Sequence, residues 1–161
     1  MSETTKGKTT AKSSAAKALT SKKNIESMHS MFSGKYSYAN GKRKSAVARV
    51  RLYEKGKGEI VVNGKSFDKY FFPGTYLGLI TSPLKLAQFE GYSITAKIVG
   101  GGVSAQADAL RHGIAKALTV LNTENRSLLK KDGQLTRDAR IVERKKPGRR
   151  KARRAHQWVK R

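Results

Sequence analysis

Only the middle of this chain has a charge balance that a folded core tolerates. The sequence holds 35 Lys and Arg against 11 Asp and Glu, a formal net charge of +24. In residues 144–161, "RKKPGRRKARRAHQWVKR", ten bases stand without an acid. Like charges at that density repel, and Pro147-Gly148 interrupts any helix, so the segment is expected to order only against a polyanion. Residues 35–143 differ: 19 bases meet 9 acids, and the apolar residues fall into strand and helix periods. Folding is therefore confined to that segment, and the C-terminal remainder is an arm of about 55 Å if fully extended.

A chain of 161 residues suits one domain with a modest core. With no Cys there is no disulfide, thiolate nucleophile or thiolate metal site, and a reducing compartment suits the chain. No apolar run approaches the roughly 20 residues of a membrane span, and the N-terminus lacks the apolar stretch of a secretory signal. Residues 1–34 are rich in Ser, Thr, Lys and Ala, with Phe32 as their one aromatic residue. They are expected to form a flexible basic extension. They contain no Arg, which argues against a transit peptide.

In "RKSAVARVRLYE", Ala46, Ala48, Val50 and Leu52 alternate with Arg43, Ser45, Val47, Arg49, Arg51 and Tyr53, which predicts a half-buried strand. "EKGKGE" supplies a turn, and "EIVVNGK" a second strand, so the two runs read as a hairpin, with Asn63-Gly64 turning after it. "SFDKYFFPG" predicts a helical turn stopped at Pro73, and "TYLGLITSPLKLAQFEG" two helical pieces divided at Ser82-Pro83. A third strand, "YSITAKIV", sets Tyr92, Ile94, Ala96 and Ile98 on one face. After the glycine run, Ala107, Leu110, Ile114, Ala117, Leu118 and Leu121 keep a helical spacing, with Ser104 as a candidate cap. "RSLLKKDG" predicts a short helix and "RDARIVERK" a last strand packing Ala139 and Ile141. Strands and helices are mixed without strict alternation, which predicts an α+β fold.

Candidate binding residues are nearly all cationic. Arg43, Arg49 and Arg51, flanked by Lys42 and Lys44, read as a row of guanidiniums suited to phosphate. On the long helix, Arg111, His112 and Lys116 read as a solvated basic stripe. The run "IVGGGVSAQ" lies where phosphate loops occur, but it lacks a Gly-Lys-Ser/Thr ending, and Ala105 stands where a third spaced glycine belongs. A tight turn and a contact with a nucleic-acid phosphate both fit it. His29, His112 and His156 show no metal or nucleophile spacing, so neither a metal nor a catalytic set is expected. In the arm, Arg144, Lys145, Lys146, Arg149, Arg150, Lys151, Arg153 and Arg154 form a dense phosphate-binding stem. Trp158 is either a base-stacking ring or a bystander.

The stretches "GKRKSAVARVRLYEKGKGEIVVNG", "SPLKLAQFEGYSITAKIVGGGVSAQADALRHGIAKAL" and "LTRDARIVERKKPGRRKARR", in this order, resemble the bacterial form of the small ribosomal subunit protein nine family over residues 36–161. The resemblance implies an α+β fold with a mixed, mainly antiparallel sheet, helices on one face and a long basic C-terminal tail. It implies no enzyme and no cofactor. Its implied partners are small-subunit ribosomal RNA, peptidyl-site tRNA and neighbouring proteins of the small-subunit head, with no membrane and no homo-oligomer, in a cytoplasmic rather than an organellar ribosome. The family's terminal Lys-Arg pair, which lies against the tRNA, matches Lys160 and Arg161. The family usually ends Pro-Gln-Phe/Tyr-Ser-Lys-Arg, whereas this chain has His156, Gln157, Trp158 and Val159 before that pair, without the proline. Two other readings compete. A DNA-compacting protein would bind any duplex alike, and a small-molecule kinase would use the glycine run for ATP, on fold analogy alone.

Overall fold

A computed structural model describes Phe32 and residues 34–160; the expected extension, apart from Phe32 and Gly34, and Arg161 lie outside the described residues. Strands β1 (Tyr36–Arg43) and β2 (Ala46–Tyr53) are joined by a turn in which Lys44 takes a positive φ of 50°. Then come β3 (Glu59–Val62), β4 (Lys65–Ser66), α1 (Phe67–Tyr70), α2 (Leu77–Leu86), β5 (Ser93–Val99), α3 (Val103–Leu121) and α4 (Asn125–Lys131). The five strands form one mixed sheet in the order β1-β2-β5-β3-β4. All neighbours are antiparallel except β3 and β5. The expected α+β class is the observed one.

The periods in the sequence explain the layers. Ala46, Ala48, Val50 and Leu52 of β2 and Ile94, Ala96 and Ile98 of β5 are buried on one face of the sheet. Against that face lies α3, which contributes Ala107, Leu110, Ile114, Ala117 and Leu118, all with no exposed surface. Both α2 and α4 pack along α3, adding Ile80, Leu84 and Leu129 to the core. Small residues on both sides bring β1 close to α3. A Cβ on Gly41 would fall on the carbonyl oxygen of Ala109 and the amide nitrogen of Gly113.

Four local expectations are corrected. The strands β2 and β3 are not a hairpin, because β5 lies between them; Asn63-Gly64 instead turns β3 into β4. The glycine-rich connection makes this possible: Gly56 N–H bonds to Gly91 O at 2.8 Å and Gly58 N–H to Tyr92 O at 2.7 Å, tying the loop to the start of β5. The division at Ser82-Pro83 does not occur, and α2 runs through Pro83. The carbonyl of Leu79, which proline leaves without an amide donor, accepts from the Ser82 hydroxyl at 2.9 Å instead. Gly102, not Ser104, is the N-cap of α3. Finally, residues 136–146 form no strand, and Ile141 is 73% exposed; the Arg43 side chain rather than the β1 backbone meets the carbonyls of Asp138 and Arg140.

The strand β1 itself carries no apolar alternation. The side chains toward α3 are Ser37, Ala39 and Gly41, which are too small to give a hydrophobic signal. The close approach they permit is tested by Gly41→Ala, expected to cost about 3 kcal/mol in urea unfolding through overpacking. Gly102→Ala, where a Cβ meets nothing within 4 Å, is expected to change stability by less than about 1 kcal/mol.

Candidate nucleic-acid interface

Alternation that buries one side of the sheet turns cations and rings to the other. On β1 the outward residues are Tyr36, Tyr38, Asn40 and Lys42, and on β2 they include Arg49 and Arg51. Register aligns them into rows. Tyr38 pairs with Arg51 and Arg51 with Thr95, while Asn40 pairs with Arg49 and Arg49 with Lys97. Tyr36, Tyr38, Arg49, Arg51, Thr95 and Lys97 line an open trough of about 1040 Å³ with Val61 and Asn63 at its far wall. Tyr36 is already engaged: its ring lies 5.7 Å from that of Tyr53, and the Arg51 guanidinium sits 5.1 Å from its centroid. Phe32 closes over Tyr53 at 5.6 Å, so Tyr53 is buried although it points away from the helices.

Arg43 does not share that face, because the two-residue turn after it reverses the chain. It points toward α3, where its Nε lies 3.5 Å from Asp108 and its Nη2 2.9 Å from Asp138. Its Nη1 also donates to the carbonyls of Arg140, at 2.7 Å, and Asp138, at 3.3 Å. Strand β1, helix α3 and the departing chain thus meet at one guanidinium. Arg140 donates to both carboxylate oxygens of Asp138. That hydrogen bond, helped by the backbone N–H of Arg140 and the charge of Arg43, holds the Asp138 carboxyl well below the usual carboxylate range. These groups line a notch of about 250 Å³ from which the arm starts.

The arm begins with a fold-back. Glu143 is clasped by Lys146 and by Arg153, each at 3.0 Å, and both cations lower its pKa, Lys146 the more. Pro147-Gly148 makes the turn, Arg150 N–H donates to Arg154 O at 2.8 Å, and Arg149 bridges to Ala155. Glu143, the last acid of the chain, therefore has a structural use. Arg144, Lys145, Arg149, Arg150, Lys151 and Arg154 remain exposed, as does Trp158 at 86%. Lys160 is exposed at the tip.

The remaining candidates divide by exposure. Lys44, Arg49 and Arg51 are exposed; Arg49 and Arg51 share the trough, and Lys44 stands on the turn beside it. Arg111 is half-buried, with Nη1 donating to Gln134 Oε1 at 2.7 Å. The solvated stripe expected on α3 is corrected at His112, which is only 8% exposed and accepts the Lys42 N–H at its Nδ1, 3.4 Å away. Gly100 and Gly101 have φ of 76° and 68° and lie against Ser45 and Ala46, so the turn alone accounts for them. Tyr38 and Lys97 were not singled out by the sequence; an alternation of Tyr36, Tyr38, Asn40 and Lys42 is the signal that finds the first.

A family model described as "Ribosomal protein S9/S16" matches residues 41–161. The "Small ribosomal subunit protein uS9" of Solidesulfovibrio magneticus is 48% identical over 130 residues, which is 80% of this chain and 99% of the relative. The "Small ribosomal subunit protein uS9c" of Mesostigma viride is 52% identical over 123 residues, 75% of this chain and 89% of the relative.

The site also yields a pH prediction. Burial first, then the charges of Lys116 and Arg111, push the His112 pKa below its ordinary value of 6.5. The unfolded chain therefore takes up the proton more readily than the folded one, so stability present above pH 6.5 is lost as pH falls through the folded value. Urea unfolding at stepped pH is expected to show that loss, and His112→Gln to reduce it. An unchanged pH profile in the variant would contradict a buried neutral imidazole.

Proposed function

Because the chain belongs to the ribosomal protein S9/S16 family, we propose that it binds ribosomal RNA in the head of the small subunit and touches peptidyl-site tRNA with its C-terminal tip. Membership makes it a structural constituent of the small ribosomal subunit and not an enzyme, which removes the kinase reading and the DNA-compacting one. The bacterial relative supports a cytoplasmic ribosome as its location.

The observation that carries the RNA reading is the separation of charge. Acids near the arm are spent on internal contacts: Asp108 and Asp138 on Arg43, and Glu143 on Lys146 and Arg153. Among the described residues, no ion pair engages Lys44, Arg49, Arg51, Arg144, Lys145, Arg149, Arg150, Lys151 or Arg154. Unpaired cations on an open face and on an arm fit a phosphate backbone that releases counterions as they bind. Of the other candidates, Arg43 positions the arm rather than meeting RNA, and Arg111 is oriented by Gln134 toward the same notch. In this reading the extension of residues 1–34, the domain of 35–143 and the arm of 144–161 are three parts, with ribosomal RNA and neighbouring head proteins as partners and no second copy of the chain. The tip residues Lys160 and Arg161 act as phosphate clamps on the tRNA.

Deleting Lys160 and Arg161 is expected to weaken tRNA binding at the peptidyl site about tenfold, the loss of a charged hydrogen bond or two, with subunits still assembling. Unchanged tRNA affinity in purified subunits would sink the tip assignment. Deleting residues 144–161 should instead lower the salt slope of ribosomal RNA binding by about 0.7–0.9 for each phosphate no longer neutralised, and impair assembly.

A further inference from the structure

We infer that the open face of the sheet is a stacking platform for unpaired nucleotides of ribosomal RNA, with Tyr38 carrying a base and Arg49, Arg51 and Lys97 meeting the flanking phosphates. This deepens the RNA-binding proposal and rests on it.

The geometry separates Tyr38 from the other rings. Tyr36, Tyr53 and Phe32 cover one another, and Arg51 caps Tyr36. Tyr38, one step further along β1, has no ring partner among the described residues and is 51% exposed. It stands in a row with Arg51, Thr95 and Val61, which gives a ring, a cation and a partly apolar floor in one line across four strands.

The neighbouring row explains why an anion belongs there. Arg49 lies directly opposite Lys97 in the β2–β5 register. Like charges in that position repel each other and weaken a sheet. Among the described residues no carboxylate pairs with either, so the repulsion is relieved from outside. A phosphate set between them does so, and Arg51 can supply a second contact on the next row.

The trough of about 1040 Å³ exceeds the pockets of roughly 300–1,000 Å³ that hold drug-sized ligands, so it has room for more than one base. A duplex hides its base faces, whereas an unpaired strand offers both a ring to stack and a backbone to neutralise. The chain's own N-terminal segment is a poor occupant: residues 1–31 carry six Lys against two Glu and would repel the trough.

The test uses small subunits reconstituted with the full chain and irradiated with short-wavelength ultraviolet light, after which peptide–nucleotide adducts are identified. An adduct on Tyr38 is expected. In parallel, Tyr38→Leu, which keeps an apolar side chain on the strand, is expected to weaken ribosomal RNA binding about tenfold at an unchanged salt slope. Tyr38→Phe should bind as the parent does, and Arg49→Gln should lower the slope by about 0.7–0.9. Wild-type affinity in Tyr38→Leu while tail deletions weaken binding would overturn this inference alone, as would Tyr38 cross-linked to a protein or to the chain's own N-terminal segment. Absence of any salt-dependent binding by the intact chain would overturn the RNA reading with it.

Discussion

Strand β1 rests on helix α3 almost backbone to backbone, at the point where Gly41 faces Ala109 and Gly113. Much else depends on that approach. It is possible because Ala39, Ala46, Ala48, Ala105, Ala107 and Ala109, all buried, keep the layers thin. Short side chains bury little area each, so close packing over the full length of α3 has to supply the cohesion. Most of the apolar residues are committed to one face of the sheet, and the other carries rings and cations around a few valines. The same approach brings Arg43, at the end of β1, onto Asp108 of α3, where the arm is fixed.

Electrostatics then divide the chain into two kinds of charge. Ion pairs at the surface are screened by solvent and salt, so the contacts of Asp138 with Arg140 and of Glu143 with Lys146 and Arg153 set direction more than stability. They aim the arm and fold its first part back. What they leave over, among the described residues, is a set of cations in no ion pair, in the trough and along the arm. In the proposed function, a net charge of +24 is tolerable in a folded protein because its neutralising charge arrives with the RNA.

The long helix, β2 and β5 were legible in the sequence because Leu110, Ile114 and Leu118, or Val50 and Leu52, or Ile94 and Ile98, repeat at the period of their element. Strand β1 was not, since Ser37, Ala39 and Gly41 look polar or neutral to any hydrophobic pattern. Extending the alternation of β2 backward across the turn put Arg43 on the wrong face. A long-range pairing, β5 between β2 and β3, overrode a local hairpin signal, and the Ser82 hydroxyl let a helix pass a proline. His112 was misplaced because an ionisable side chain beside Arg111 looks solvated until β1 is seen to cover it. Of the candidate site, the arm's bases and Arg49 with Arg51 were legible from charge alone; Tyr38 shows only in the polar alternation of β1, and Lys97 required the register of β2 with β5.

In the proposed function this chain presents two cationic surfaces, the sheet trough and the arm, to RNA in the small-subunit head. An electron cryomicroscopy map of small subunits carrying this chain and a peptidyl-site tRNA tests it most directly. Ribosomal RNA density is expected in the trough and along residues 144–155, with the last residues against the tRNA. A trough facing solvent or protein, together with an arm that meets neither RNA, would contradict it.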